Sequence, residues 1–281
     1  MTRCGVVEST AVRAIALSIA GSDPSGGAGI QADLKTFHQH QVYGCAVPTL
    51  LTVQSTVALR RVEVLAAELV AEQLDALLGD LQPAAAKTGA LGSAGNARVV
   101  AERFERLRVP LVVDTVRIAK HDASLLADDA RAVLLERLLP CAALVTANAP
   151  EAAWLLDMVV DQPEHALVAA ERLRALGCVA VMIKGGHLAD VDGSATDVLV
   201  DSAGVVLLSS PRVATRHTHG VGCALSAAIC ANLARGLPLR AACAQAKRWL
   251  AQAITSAPGL GAGHGPIDHH APLPKDEPES K

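Results

Sequence analysis

Short apolar runs and longer amphipathic segments alternate along most of this chain. Residues 14–20 (AIALSIA) are apolar almost throughout and stop at Gly21, the pattern of a buried strand. A glycine-rich loop over 21–29 leads into 30–41, where Ile30, Leu34 and Phe37 recur at helical spacing. Residues 45–53 predict a second strand, with Pro48 an objection to a central position in a sheet. Helices are predicted over 66–81, 96–107, 127–139, 149–156 and 164–176, and strands over 84–87, 111–114, 143–146 and 179–184. Residues 196–200 and 205–208 read as a hairpin turning at Gly204, and helices over 223–235 and 239–256 close the series. Strands alternating with helices predict an α/β fold whose mostly parallel sheet is covered on both faces. No Pro/Gly/Ser-rich linker interrupts the rhythm, so 14–270 is expected to be one domain, with disordered extensions at 1–13 and 271–281.

Composition narrows the chemistry. Hydrophobic residues make up 51% of the 281, enough for a substantial core, while aromatic residues are only 2% and the formal charge is -3. A stacking platform in a basic groove needs more of both, so nucleic acid is not an expected partner. The seven cysteines are scattered, without a C-x-x-C pair or zinc-type spacing, and read as small buried hydrophobes of a reducing compartment. Residues 1–13 hold Arg3 and Glu8 and no apolar signal core, and no apolar stretch suits a membrane span. The cytoplasm is the expected location, without membrane attachment.

Sheets of this kind bind ligands beyond the carboxyl ends of their strands. That rule selects 21–29, Gln54, 87–91, 114–122, 146–151, 184–187 and 217–223 for inspection. In 217–223 (HTHGVGC), Gly220 and Gly222 allow a tight turn whose N–H groups, with the helix start behind them, suit an anion. Cys223 falls in the first helical turn, where the positive helix end favours a thiolate; a plain glycine turn beside a buried cysteine fits the same residues. Asn148 and Glu151 (N-A-P-E) stand three apart at a strand-to-helix junction, as suits a hydrated Mg²⁺, or equally a capping box. Asp114, at a strand end, is a second candidate carboxylate for the metal. Lys184, before Gly185 and Gly186, can reach a phosphate, and Lys120 in the 114–122 loop is a similar cation. Gly26, Gly27 and Gly29 suggest a phosphate loop, but without G-K-[ST] it is no Walker A site. Gln54 offers a donor and an acceptor on one amide, matching the edge of an aminopyrimidine, though a merely solvated Gln at a strand end fits the same position.

Together these segments closely resemble the hydroxymethylpyrimidine/phosphomethylpyrimidine kinases of the ribokinase-like superfamily. The resemblance runs from residue 16 to about 270, and its most specific stretch is 19–37 (IAGSDPSGGAGIQADLKTF). Residues 43–45 (YGC), 114–116 (DTV), 184–187 (KGGH), 218–223 (THGVGC) and 263–266 (GHGP) follow in the family's order. It implies a three-layer αβα sandwich that phosphorylates the pyrimidine's hydroxymethyl group with ATP and Mg²⁺, then the resulting phosphate, toward thiamine. It further implies that Gln54 and Asp33 contact the pyrimidine, with Gly21, Val116 and Ala90 along its pocket. Cys223 would activate the hydroxymethyl oxygen and the Gly220–Cys223 backbone would stabilise the transferring phosphoryl group. Asp114, Asn148 and Glu151 would organise Mg²⁺, while Lys184, Thr218 and Lys120 would meet the nucleotide phosphates. A homodimer is what the family suggests.

The chain departs from the family pattern around the same positions. Val221 stands where Thr is usual, Ala224 where Thr or Ser is usual, and Ala90 where a methionine packs on the ring. Arg117, His121 and Asp122 alter a loop thought to cover the site, and Ala147 replaces a proline. These changes imply a looser pocket and keep two other readings open: a kinase of a related ring such as pyridoxal, and a non-catalytic pyrimidine binder.

Overall fold

The computed structural model describes residues 13–118, 124–188 and 193–274. One nine-stranded sheet runs in the order β3-β2-β1-β4-β5-β6-β7-β8-β9. Its parallel centre is β1 (Ile15–Ser22), β2 (Tyr43–Gln54), β4 (Ala85–Thr88), β5 (Leu111–Asp114), β6 (Leu144–Asn148) and β7 (Val181–Lys184). The antiparallel strands β3 (Leu59–Val64) at one edge and β8 (Ser194–Asp201) with β9 (Gly204–Pro211) at the other complete it.

Side chains alternate across each strand, so the apolar runs feed two cores. On one face Leu17, Ile19, Val113, Val145, Val181 and Ile183 pack under α2 (Ala67–Leu78), α3 (Ala94–Phe104), α5 (Ala149–Leu156) and α6 (Pro163–Arg174). On the other, Ala16, Val112, Leu144 and Met182 meet α1 (Gly29–Gln39), α7 (Val221–Ala234) and α8 (Leu239–Thr255). The predicted α/β sandwich is therefore the observed one. α7 is buried along most of its length, and its Ala, Ser and Gly residues let it lie close to β1, β4 and β5. Its first turn comes to rest over their carboxyl ends.

Four points refine the predicted elements. β3 reads L-R-R-V-E-V, and its charged, exposed residues match an edge strand rather than a core one. Pro48 does lie within β2, but where β2 pairs with β1 alone; β3 joins only from Leu50 to Gln54. The helix predicted over 127–139 is a single α-turn, α4 (Ala130–Val133), widening into a π-helical stretch at Leu134–Leu138 and a 3₁₀ turn at Leu139–Cys141. The predicted tail begins too early: Ala271 is fully buried, and its carbonyl accepts from Gln39 Nε2 at 2.8 Å and Trp249 Nε1 at 3.1 Å. Residues 1–12 and 275–281, expected as extensions, lie outside the described residues. No helix among the described residues is long and apolar enough to cross a membrane.

Candidate active site

Parallel register brings the carboxyl ends of three neighbouring strands, β5, β6 and β7, together. Asp114 is opposite Thr146, and Asn148 is opposite Lys184. Lys184 Nζ consequently donates to Asp114 Oδ1 at 2.8 Å and stands 3.7 Å from Glu151 Oε2. Thr146 Oγ1 donates to the same Asp114 oxygen at 2.8 Å, and Ser226 Oγ, one turn into α7, donates to Oδ2 at 3.2 Å. Burial works to raise the Asp114 pKa, but Lys184 and Lys87 outweigh it and hold the carboxyl below its ordinary value. Burial raises the Glu151 pKa, against the pull of Lys184 and with the help of Asp114's charge. Burial would lower Lys184, but Asp114 and Glu151 hold it above the usual lysine value, so it stays an ammonium.

α7 starts directly above. Gly220 is its N-cap at φ 77°, and no side chain caps the first turn. That leaves N–H groups and the positive helix end facing the site. Gly222 looks straight into it: a β-carbon there would sit 3.4 Å from Lys184 Nζ and 3.8 Å from Asp114 Oδ2. Cys223 is next, with the Gly29 N–H from the start of α1 directed at its sulfur. The expected thiolate is corrected. Burial pushes the Cys223 thiol up to about 11, and Lys87 and the Gly29 N–H do not offset it.

The loop glycines have a packing role that sequence reasoning assigned to phosphate. A side chain at Gly220 would strike the Gly27 carbonyl oxygen at 1.8 Å, one at Gly27 would reach His219 Cδ2 at 2.6 Å, and one at Gly29 would meet the Gly21 oxygen at 2.3 Å. Absent side chains thus let the 21–29 loop and the 217–222 loop touch. Across this contact, buried His219 has Nε2 2.7 Å from Asp23 Oδ2 and 3.1 Å from Gln54 Nε2. Burial works to raise the Asp23 pKa, but hydrogen bonds from His219 and Ser25 hold it below the ordinary value.

Other expected site residues fall as follows. Asp33 is a correction: it is fully buried, with Lys87 Nζ 3.0 and 3.1 Å from its two oxygens and Ser18 Oγ donating at 2.5 Å. It underlies the site and presents no face to a ring. Asn148 is also corrected, because its side-chain oxygen accepts from the Glu151 N–H at 2.8 Å while Glu151 Oε2 accepts from the Asn148 N–H at 2.8 Å, a complete capping box. Gly21 and Ala90 do come together, with a β-carbon at Gly21 3.6 Å from that of Ala90. Val116 is partly exposed beyond β5, and Thr218 lies in the turn that leads to α7. Lys120 and His121 lie outside the described residues. Arg117 is engaged elsewhere, its guanidinium 4.9 Å over the Trp154 ring and 3.1 Å from Asp128.

Sequence reasoning gave no role to Lys87, Asp23, His219 or Ser226. Lys87 ends a predicted strand and so carried the positional signal. Asp23 and His219 lay inside quoted motifs, but their meeting across nearly two hundred residues leaves no local trace.

Residues 23–268 match the family described as phosphomethylpyrimidine kinase. The chain is 45% identical over 260 residues to the hydroxymethylpyrimidine/phosphomethylpyrimidine kinase of Rhizobium meliloti (strain 1021), a match taking in 91% of this chain and 97% of that protein. It is 44% identical over 258 residues to the thiamine biosynthesis bifunctional protein ThiED of Geobacter sulfurreducens, covering 92% of this chain but only 52% of that longer protein. Among solved structures, the pyridoxal kinase from Staphylococcus aureus in complex with ADP superposes with a TM-score of 0.86 at 32% identity, covering 93% of this chain and 95% of that one.

Proposed function

The chain belongs to the phosphomethylpyrimidine kinase family, and from that premise we propose that it transfers the γ-phosphoryl group of ATP to 4-amino-5-hydroxymethyl-2-methylpyrimidine and then to its monophosphate. The product is the pyrimidine diphosphate used for thiamine. The observation that carries the reading is the Lys184–Asp114 pair, 2.8 Å apart beneath the uncapped start of α7 with Gly222 opening toward both. Phosphoryl transfer asks mainly for positioned positive charge and aligned oxygens. Lys184 and the N–H groups of 220–223 supply the charge, and Gly222 supplies the room. Thr218 and Lys120 are proposed as further phosphate contacts.

The ring lies between Gln54 on one side and Gly21, Ala90 and Val116 on the other, with its hydroxymethyl group toward Cys223. As a thiol at neutral pH, Cys223 holds that hydroxyl by hydrogen bonding. In a loose transition state the bond from the γ-phosphorus to the β-bridging oxygen breaks and ADP departs while the alcohol keeps its proton. That proton passes to an oxygen of the transferred phosphoryl group or to water once the new O–P bond is largely made. Asp114 and Glu151 would hold Mg²⁺ through its water shell, with Asn148 setting the Glu151 rotamer. The donor set fits such a hydrated ion: both carboxylates border Lys184 Nζ, at 2.8 Å from Asp114 and 3.7 Å from Glu151, and a water shell would let an ion sit beside the ammonium and not in its place. Such an ion would supply neutralisation of the phosphate oxygens.

The kinase is proposed to act in the cytoplasm and as a homodimer; the exposed Leu51, Val53 and Val57 along and just beyond β2 support the dimer. The deciding assay offers purified protein Mg-ATP with the hydroxymethylpyrimidine, its monophosphate or pyridoxal, and follows ADP and phosphorylated product. Turnover of both pyrimidines is expected. Turnover of pyridoxal alone would favour the related-ring reading, which the likeness to pyridoxal kinases supports, and binding without ADP formation would favour the non-catalytic one.

A further inference from the structure

The contact between His219 and Gln54 has only one chemically consistent form. The Asp23 carboxylate is an acceptor on both oxygens: Oδ1 from the Ser25 N–H at 2.9 Å, and Oδ2 from Ser25 Oγ at 2.8 Å and the Ala28 N–H at 2.9 Å. A carboxylate held this way offers no proton, so the 2.7 Å contact to His219 requires that His219 Nε2 carry the hydrogen. The same atom stands 3.1 Å from the Gln54 amide nitrogen. An N–H cannot accept from an NH₂, and amide oxygen and nitrogen are distinguished only by such partners. The Gln54 amide must therefore turn its oxygen to His219 and its NH₂ away. Protonating the imidazole changes nothing here, because Nε2 still carries its hydrogen.

We propose that His219, clamped by Asp23, is a positioning residue that fixes which way round the Gln54 amide faces and thereby sets ring specificity. Resting on the function proposed above, this orientation presents an NH₂ donor to a ring nitrogen, and the second lone pair of Oε1 to an adjacent amino group. An aminopyrimidine offers that acceptor and donor side by side; a pyridine ring without an amino group does not. The arrangement also ties specificity to loop closure. His219 belongs to the segment that forms the start of α7, its N–H donates to the Gly265 carbonyl at 3.1 Å, and its ring lies against Gly27. The residue reading the ring is thus oriented by the loop proposed to hold the phosphates.

Two measurements test this. Two-bond ¹H–¹⁵N correlation of the imidazoles, with His219→Gln identifying the resonance, is expected to show hydrogen on Nε2; hydrogen on Nδ1 alone overturns the proposal, whatever the enzyme phosphorylates. Kinetically, His219→Leu removes the donor and His219→Gln restores one at the place of Nε2. His219→Leu is expected to raise KM for the hydroxymethylpyrimidine by about tenfold, the scale of one lost buried hydrogen bond. KM for ATP should stay within about twofold, and His219→Gln should recover most of the loss. An equal loss for pyridoxal and the pyrimidine, or a parallel rise in KM for ATP, would make His219 a loop scaffold only. If the unaltered protein turns over no pyrimidine, the function proposed above falls, and the tautomer still decides the orientation.

Discussion

Lys87 Nζ lies 3.0 Å from Asp33 Oδ2 in an ion pair neither of whose side chains has any exposed surface. The pair joins α1 to β4 directly below Cys223. Burial would lower the Lys87 pKa, but the carboxylates of Asp33 and Asp114 hold it raised, so the lysine stays charged. Breaking such a pair leaves one buried charge alone. Lys87→Met and Asp33→Asn are each expected to cost about 3–5 kcal/mol in denaturant unfolding. The double variant should cost clearly less than the sum, and strict additivity would show that the two do not act as a pair.

Cys223 separates base catalysis from hydrogen bonding. With its thiol pushed up to about 11, the thiolate fraction at pH 7 is on the order of 1 in 10⁴. Cys223→Ser should keep activity within about threefold, while Cys223→Ala should lose about tenfold, the scale of one buried hydrogen bond. A serine variant as inactive as the alanine variant would point to the thiolate instead. Iodoacetamide labelling of Cys223 should be slow at pH 7 and climb steadily beyond pH 9.

Two neighbouring glycines should fail in different ways. Gly220→Ala meets the Gly27 oxygen at 1.8 Å and sits at φ 77°, so a stability loss above about 2 kcal/mol is expected. Gly222→Ala has ordinary contact distances but fills the space facing Lys184. It should melt close to the parent protein while kcat/KM for ATP falls about tenfold or more. Matched melting losses in the two variants would contradict this division.

Two buried histidines predict an acid limb. His40 and His269 are both lowered to about 4, in each case first by burial. The unfolded chain takes up their protons near pH 6.5, whereas the folded chain does so only near 4. Stability from this source is complete above 6.5 and is lost as pH falls toward 4, by at most about 3 kcal/mol for each residue. His40 packs edge-on against Trp249 with ring centroids 4.9 Å apart, so His40→Phe keeps an aromatic ring there while removing the titration. Plots of Tm against pH for that variant should flatten between pH 6.5 and 4; an unchanged slope would assign the limb to other groups.

The periodicity of 14–20, 111–114, 143–146 and 179–184 was enough to place buried parallel strands, and strand-end position alone picked out Asp114, Lys184 and Gln54. Local order suffices there because an apolar run has one low-energy fate in a covered sheet, and its last residue must emerge at the ligand edge. Asp33, Asn148 and Cys223 looked the same in sequence as they would in other roles. Their surroundings separate them: Lys87 and Ser18 engage Asp33, the Glu151 N–H takes the Asn148 oxygen, and burial keeps Cys223 a thiol. The His219–Gln54 contact spans 165 residues and depends on glycines that let two loops touch. Sequence by itself determined the layers of this protein and the edge at which its chemistry gathers. Only the tertiary structure decided which polar groups there are already partnered, because hydrogen bonding and desolvation act between residues that chain order leaves far apart.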